Sequence, residues 1–299
     1  KDVLLKSRLK GADVFGFKGQ SDLYATYRPR YPQCLIDTGT QAVDGRDVAL
    51  DVGCGPGILT FPLAKVFKKV YGIDVSQTQL DKAKEKGEDI ENASFYYQNS
   101  HELEEFWKTT MSEEKINIVS FAQTLHWLDH DSIFKNYKDY LAENGAFEIF
   151  SYAICQIMNP KMVENIKSDI NENDRFTNIE ALNFEEEKKY SEVDEKANKV
   201  FNNFYNIVKP HFECIREDLD THYKNINYTD YFGNVEEYLK YEIKSVPLKN
   251  FLSYLKTMSG YRCYLEKFPE EQDPLEELIG DLSEIYSLKS QEDVDKKEI

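Results

Sequence analysis

The sequence lacks the features that mark disulfide-rich, membrane-spanning and nucleic-acid-coating proteins. No CxxC pair occurs, so neither a disulfide framework nor a zinc ribbon is predicted. No apolar run approaches the ~18 residues that a membrane helix needs. Basic residues are outnumbered 37 to 54, and the net charge of −17 repels nucleic acid and anionic membranes at long range. The five cysteines are scattered: Cys34, Cys54, Cys155, Cys214 and Cys263.

The negative charge is concentrated at one end of the chain. Residues 265–299 contain 12 acidic and 4 basic side chains, whereas residues 1–50 contain 8 basic and 6 acidic ones. Scattered thiols favour a reduced, cytoplasmic protein. The chain begins at Lys1 rather than at a methionine, which is compatible with removal of a targeting peptide, for example a mitochondrial one.

What the chain does have is a regular alternation of strand-like and helix-like segments between residues 48 and 152. With 299 residues and 41% apolar side chains, it has enough material for a large hydrophobic core. The alternation predicts a doubly wound, mostly parallel α/β sheet. The predicted strands are Val48–Val52, Val70–Ile73, Ser94–Tyr97, Ile116–Ala122 and Ala146–Tyr152. The predicted helices are Ile58–Phe67, a helix capped by Ser76 that ends near Gly87, and Ile133–Leu141, stopped by Asn144-Gly145.

The remaining residues predict a three-part organisation. Residues 1–158 form the core with an N-terminal lid segment, and residues 159–235 form a charged helical insertion that serves as a substrate cap or a partner surface. Residues 236–299 complete the core with a strand over Tyr238–Val246 and a helix from Pro247 to Leu255, whereas the residues after Ser287 are expected to be loose. The last sheet strand would only begin at Lys297–Ile299, so we expect the natural chain to continue further.

A glycine-rich turn directly after the first predicted strand carries the chemistry. Its sequence, Asp51-Val52-Gly53-Cys54-Gly55-Pro56-Gly57, combines an acid with glycines that let a ligand approach the backbone. Asp74 ends the second strand, where an acid can accept the hydroxyls of a ribose. Asp51 suits the cationic amino-acid end of a ligand rather than a pyrophosphate. Two acids and this turn together predict a site for S-adenosylmethionine.

These residues resemble class I S-adenosylmethionine-dependent methyltransferases, and within them the small-molecule, trans-aconitate methyltransferase-like group. Residues 51–57 and Gly72–Ser76 match the first two signatures of that class. Tyr24–Pro32 is similar to the "Y-x-x-x-R-P-x-Y-P" lead-in of the group, and Ala122–Asp129 is similar to its "A-x-x-x-H-W-x-D" stretch. The resemblance covers residues 20–155 well and 235–280 loosely, and it departs at Met258, where fungal members usually carry Trp.

The resemblance implies a set of cofactor contacts. Asp74 would hold the ribose, with Val75 beside it as a further cofactor-binding residue. Asn99 and Ser100 would lie beside the adenine, and Gln123 would contact the cofactor from the opposite side. Gly53, Gly55 and Gly57 would line the methionine–ribose region, and Asp51 and Cys54 of the same turn are further candidate cofactor-binding residues.

The acceptor side is predicted from the N-terminal segment and from the end of the fourth strand. An ionised carboxylate acceptor needs cationic neighbours but no base, whereas a hydroxyl acceptor would need one. His126 and Trp127 would form the acceptor wall, with His126 as the base for a hydroxyl, or they would be a packed pair. Arg28 would bind the acceptor or form a structural ion pair. The other candidate acceptor residues are Arg30 (equally compatible with a solvated surface role), Arg262, and Tyr24, Tyr27 and Tyr31 as a lid or as packing residues.

The leading hypothesis is a methyltransferase that esterifies a small carboxylate acceptor by in-line displacement. A quinone or phenol precursor is an alternative acceptor within this hypothesis, and methylation of a protein or nucleic acid is a third option. The alternative is a weak or inactive methyltransferase-fold subunit that serves as a scaffold through residues 159–235 or the acidic C-terminus. Nucleic acid is not an expected acceptor because of the net charge and because no N/D-P-P-Y/F motif occurs. The histidines show no metal-ligand spacing, so no metal site and no membrane insertion are expected.

Overall fold

A computed structural model describes residues 26–152, 154–155, 157, 192–238 and 246–299. The described residues fall into two compact units. The sheet unit holds the residues before 154 together with Cys214–Tyr231, and the helical unit holds residues 154–213 and Phe232–Ile299. The segment 214–231, which lies inside the predicted insertion, is therefore part of the sheet unit.

The sheet unit is built on five parallel strands in the order β3-β2-β1-β4-β5. This confirms the predicted doubly wound sheet, because the order reverses between β1 and β4. All residues of β1 and β4 are buried, as expected for the central strands of a parallel sheet covered by helices. The strands are β1 Val48–Val52, β2 Lys69–Asp74, β3 Ala93–Tyr97, β4 Ile116–Ala122 and β5 Leu141–Phe150.

The connecting helices of the sheet unit are short. The Ser76 hydroxyl accepts from the backbone N–H of Gln79 and caps its helix, which ends before Gly87, as predicted. The first predicted crossover helix is shorter than expected, because the chain stays in a turn until Leu59. These helices are α1 Gln33–Gln41, α2 Thr60–Ala64, α3 Gln77–Lys86, α4 Leu103–Thr109, α5 His130–Tyr137 and, in the segment 214–231, α7 Arg216–Asp220.

The predicted helix over Ile133–Leu141 and its stop at Asn144-Gly145 are wrong. The helix ends at Tyr137, and β5 already begins at Leu141, which pairs with Ile116. The register then shifts, and Asn144 adopts a left-handed conformation with φ 58° inside the strand. Asn-Gly, a frequent turn signal, here forms a bulge that lets β5 continue along β4.

The helical unit packs apolar stripes of its helices against one another. α6 Glu192–Val208 contributes Ala197, Phe201, Phe204 and Val208, which recur at helical spacing and are buried. The other helices are α8 Leu248–Lys256, as predicted, α9 Ser259–Lys267, α10 Pro274–Ile285 and α11 Gln291–Lys296.

The C-terminal residues differ from the expectation of a loose segment. Ser290 and Asp293 form a capping box that starts α11. Beyond it, Glu298 forms an antiparallel bridge with Pro247, and Val246 and Ile299 exchange backbone hydrogen bonds of 3.1 Å in both directions. Most of the predicted strand over Tyr238–Val246 lies outside the described residues. No helix in the described part of the chain has the length and apolarity to cross a bilayer.

Candidate active site

The topology of the sheet unit places the candidate site at the carboxyl ends of β1, β2 and β4. The strand order reverses between β1 and β4, and ligands of open α/β sheets bind in the crevice at such a switch point. The residues that follow β1 are the glycine turn, Asp74 ends β2, and Gln123 to Trp127 follow β4. Thr124 joins two of these loops, because its hydroxyl donates to the backbone oxygen of Gly53 at 3.3 Å.

The glycine turn adopts a conformation that only glycine takes without strain. Gly53, Gly55 and Gly57 all have positive φ, at 67°, 53° and 84°. A Cβ at Gly53 would collide with the Thr124 side chain, and one at Gly57 would collide with Phe61. A Cβ at Gly55 would meet no atom within 4 Å, so this glycine borders open space where a ligand can approach the backbone.

Asp74 fixes the glycine turn to the end of β2. Its two carboxylate oxygens accept from the backbone N–H groups of Gly55 and Ser76, each at 2.8 Å. A carboxylate has about four acceptor positions, so these bonds are compatible with ribose hydroxyls as further donors. Val75, the next residue, is exposed. The predicted ribose contacts therefore lie beside the turn.

Asp51 is a buried acid at the base of the turn. The Thr60 hydroxyl donates to its Oδ2 at 2.6 Å, whereas Oδ1 has no hydrogen-bond partner within the described residues. Burial raises the pKa of Asp51 to about 7, against the Thr60 hydrogen bond, with a further increase from the negative charge of Asp74. Burial also raises the pKa of the Cys54 thiol, which is therefore neutral. An unpartnered buried carboxylate oxygen suits a cationic ligand group.

Asp51 belongs to a buried polar row that crosses three strands. Ser120 of β4 is in register with Asp51 of β1 on one side and with Glu148 of β5 on the other. The Ser120 hydroxyl donates to Glu148 at 2.8 Å. Burial raises the pKa of Glu148 to about 8, and the Asp51 charge adds to this increase. Sequence reasoning missed this row, although an acid inside the apolar run 146–150 was a detectable signal.

The predicted adenine-side residues Asn99 and Ser100 follow β3, and Gln123, predicted to contact the cofactor from the opposite side, follows β4. Asn99 caps a short turn by accepting from His101 N–H at 3.1 Å, and Ser100 is buried, with its carbonyl bound by the Tyr137 hydroxyl at 2.7 Å. Gln123 has a left-handed backbone with φ 56°, and its side-chain amide donates to the Tyr152 carbonyl at 3.1 Å. The cofactor roles of these three residues stay predictions.

His126 and Trp127 lie in a short turn directly after β4. His126 is 4% exposed, and its Nδ1 lies 2.8 Å from the Tyr223 hydroxyl. Burial lowers the pKa of His126 to about 3, and the positive charges of Arg216 and Arg28 act in the same direction. His126 is therefore neutral and a weak base at neutral pH. Arg28 and Arg216 are both close enough for their charges to act on this ring.

The other predicted acceptor residues do not lie in the loop that carries His126 and Trp127. Arg28 donates to the Tyr152 hydroxyl at 3.2 Å, and Tyr31 packs edge-on against Phe150 at a ring distance of 4.7 Å, so both lie by the end of β5. Arg30 is exposed. Arg262 lies on α9 of the helical unit, with its Nε 3.5 Å from Glu266. Tyr24 lies outside the described residues.

The structure adds residues that no sequence motif pointed to. Arg216, Asp218 and Tyr223 belong to segment 214–231, and they reach the loop after β4 from far along the chain. Asp218 lies 3.2 Å from His130 Nε2 and accepts from Asn225 at 2.7 Å. Their sequence context is a charged stretch without periodicity, which is why their approach to the site could not be predicted.

The fold and this crevice define a class of protein. A parallel sheet with a glycine turn after β1 and an acid at the end of β2 is a Rossmann-like protein that binds a nucleoside-containing ligand. The methyltransferase-domain family matches residues 44–198, more than half of the chain, and the chain belongs to this family.

Relatives extend this assignment beyond the matched region. A Dictyostelium discoideum protein, provisionally named a methyltransferase, is 27% identical over 275 residues, which cover 92% of this chain and 86% of the relative. A Saccharomyces cerevisiae protein, provisionally named an S-adenosylmethionine-dependent methyltransferase, is 29% identical over 44% of this chain and 45% of its own length. A solved structure of a provisionally named type II methyltransferase from Anaeromyxobacter dehalogenans has the same fold, with a TM-score of 0.58, 17% identity, and coverage of 88% of this chain and 91% of that one.

The chain is therefore an S-adenosylmethionine-dependent methyltransferase, and its residues fit this cofactor. Open space in front of Gly55 leaves room for a ligand against the backbone. The unpartnered oxygen of Asp51 suits an ammonium group, and the Asp74 carboxylate, which accepts from Gly55 N–H, has acceptor positions left for hydroxyl donors. S-adenosylmethionine supplies an electrophilic methyl group on a sulfonium, which is activated before it binds.

Proposed function

We propose that this methyltransferase acts on a small molecule and esterifies a carboxylate, as the trans-aconitate methyltransferases that it resembles do. A carboxylate oxygen forms a bond to the methyl carbon while the carbon–sulfur bond breaks and its electron pair stays on sulfur. The products are a methyl ester and S-adenosylhomocysteine. The observation that carries the proposal is the environment of His126. The ring is buried and neutral, and the positive charges of two arginines act on it.

The weak basicity of His126 favours an acceptor that is already ionised. A phenol or alcohol must lose a proton on reaction, and a general base works best with a pKa near the working pH. The pKa of His126 is about 3, far below that range, because the ring is buried and lies near positive charge. A carboxylate needs no base. The protein then has to orient its oxygen and exclude water.

The arginines near His126 supply the charge that an anionic acceptor needs. Arg28 precedes α1 and contacts the Tyr152 hydroxyl. Arg216 begins α7, and its Nε pairs with Asp220 at 3.0 Å. Arginine presents paired donors that match the two oxygens of a carboxylate. Each hydrogen bond to a charged group is worth about 1.5–3 kcal/mol, so the two side chains are expected to dominate acceptor binding.

The test is a methyl-transfer assay with labelled S-adenosylmethionine and two acceptor classes, namely trans-aconitate and related small carboxylates against a phenol series. We expect turnover with carboxylates only. Arg28→Met should raise the KM for the carboxylate by about 10- to 100-fold through loss of a charged hydrogen bond. Arg28→Lys should restore part of the affinity.

The control for these variants is the affinity for S-adenosylmethionine, which should stay within about threefold of the original value in both. Methylation of the phenols without methylation of the carboxylates would contradict the proposed acceptor class. An unchanged KM in Arg28→Met would remove Arg28 from the acceptor site.

A further inference from the structure

The segment Cys214–Tyr231 holds the loop after β4 at both its backbone and its side chains. The backbone N–H of Ile215 donates to the carbonyl of His126 at 3.0 Å. The Tyr223 hydroxyl lies 2.8 Å from Nδ1 of the same residue, and the two rings are stacked at an angle of 27°. Asp218 lies 3.2 Å from His130 at the start of α5. The segment therefore determines how His126 is presented.

The backbone around this contact is in a costly conformation. His222 and Tyr223 are consecutive non-glycine residues with φ of 54° and 58°, and Gln123, at the end of β4, has φ 56°. A non-glycine residue in this left-handed region is strained and persists only where its surroundings fix it. Hydrogen bonds from Tyr223 N–H and from the Asn225 side chain to Asp218 hold the turn. Left-handed residues thus occur on both sides of the His126–Tyr223 hydrogen bond.

The direction of that hydrogen bond follows from the surroundings of the Tyr223 oxygen. Within the described residues, the side-chain partner of this oxygen is Nδ1 of His126, and a buried hydroxyl proton needs an acceptor. Tyr223 is 5% exposed, and burial raises the pKa of its hydroxyl well above the ordinary value, so the proton stays on the oxygen. The acceptor within reach of that proton is Nδ1 of His126, at 2.8 Å. A neutral imidazole that accepts at Nδ1 carries its own proton on Nε2.

We propose that Tyr223 is a positioning residue, which donates its hydroxyl proton to Nδ1 of His126 so that His126 presents an Nε2–H donor to an anionic acceptor oxygen. The segment 214–231 would then form the acceptor-side wall of the site. The role of the Nε2–H of His126 as a donor to the acceptor rests on the proposed carboxylate function. The tautomer of His126, with its proton on Nε2, does not depend on that function.

The proposal explains why a histidine with so little basicity lies at the end of β4. With Nδ1 occupied and Nε2 protonated, His126 has no lone pair left to remove a proton, and it acts as a hydrogen-bond donor. Its Nε2–H would fix one carboxylate oxygen, while the charges of Arg28 and Arg216 favour the anion. Orientation of the attacking oxygen is the main contribution that a protein makes to such a transfer.

The first experiment measures the tautomer of His126 by nitrogen NMR of histidine-labelled protein. In the original protein we expect the proton on Nε2 and a hydrogen-bonded, unprotonated Nδ1. Tyr223→Phe removes the donor, so the signals should move towards the opposite tautomer or a mixture. Tyr231→Phe is the matched control, since it removes a hydroxyl of the same segment that bonds Asp131 instead. A proton on Nδ1 in the original protein, or no change in Tyr223→Phe, would overturn the proposal.

The second experiment separates a donor from a base by methyl transfer to trans-aconitate. His126→Gln keeps an N–H donor near the Nε2 position, so kcat/KM should fall by less than about tenfold, whereas His126→Ala should lose about 100-fold or more. Equal losses in the two variants, with S-adenosylmethionine binding intact in both, would overturn the donor role. If no carboxylate is methylated by the original protein, the proposed function fails, and the tautomer measurement still decides the role of Tyr223.

Discussion

Two acids of the sheet unit, Asp51 and Glu148, are buried in a single row with Ser120 between them. Burial raises the pKa of each, to about 7 and about 8. Such carboxyl groups favour the folded state while they are protonated and oppose it once they ionise. The row therefore couples the stability of the sheet unit to pH near neutrality.

Glu148 gives the clearest consequence at the scale of single residues. Its folded-state pKa lies above the unfolded value of about 4.5, so its contribution to stability is full below about pH 4.5 and is lost as the pH rises through about 8. The free energy of unfolding should fall with a slope of up to about 1.4 kcal/mol per pH unit for this carboxyl group. Glu148→Gln should flatten this slope when urea unfolding is measured at several pH values.

Glu143→Gln is the matched control for Glu148→Gln, since Glu143 lies on the same strand with its side chain exposed. That variant should keep the slope of the original protein. Equal slopes for the original protein and Glu148→Gln would show that folding does not raise the pKa of Glu148.

Sequence reasoning could predict the residues of the site that are defined by local chain geometry. Asp74 and the glycines follow strands, and the ends of parallel strands meet at one edge of the sheet, so spacing alone brings them together. Tyr223 could not be found in this way, because 97 residues separate it from His126 and no periodic pattern marks it. Long-range side-chain partners depend on tertiary packing, which a single sequence does not encode in local signals.

At the scale of elements, two glycines have different roles, namely Gly55 in the turn after β1 and Gly280 in α10. Gly55 has a positive φ and borders open space, so an alanine there strains the backbone by about 1–2 kcal/mol and places a methyl group towards the ligand. Gly280 lies exposed within α10, where alanine is a better helix former by about 0.5–1 kcal/mol.

We therefore predict opposite effects of the same substitution at these glycines. Gly55→Ala should weaken S-adenosylmethionine binding by at least about tenfold with a modest loss of thermal stability. Gly280→Ala should raise the free energy of unfolding by about 0.5–1 kcal/mol and leave binding unchanged. Calorimetric titration and chemical unfolding measure the two quantities. Unchanged cofactor binding in Gly55→Ala would place the ligand elsewhere.

The elements also show which strands and helices the pattern of apolar residues predicts and which it misses. All five strands of the sheet were predicted, because buried parallel strands are short apolar runs at regular spacing. The start of β5 was missed since Asn144-Gly145 has the composition of a turn, and only the pairing of Leu141 with Ile116 shows a bulge. The helix α11 was missed because its capping box lies in a polar segment without an apolar stripe.

For the whole molecule, the negative net charge of the chain suits a cofactor that carries positive charge. The chain carries a net charge of −17, and 8 of these negative charges are the excess of 12 acidic over 4 basic residues in positions 265–299 of the helical unit. A negative protein attracts a cationic ligand such as S-adenosylmethionine at long range. An anionic acceptor is repelled at long range, so its binding has to depend on local cations such as Arg28 and Arg216. Binding of the acceptor should therefore be more sensitive to single substitutions than binding of the cofactor.

We predict that the crevice at the ends of β1 and β2 holds S-adenosylmethionine through Asp74 and the glycine turn. Isothermal titration of the original protein, Asp74→Ala and the matched control Asp81→Ala on the neighbouring helix α3 tests it most directly. We predict one binding site per chain, a loss of about 10- to 100-fold in Asp74→Ala, and an unchanged affinity in Asp81→Ala. Undiminished binding in a folded Asp74→Ala variant, or no binding by the original protein, would contradict the account.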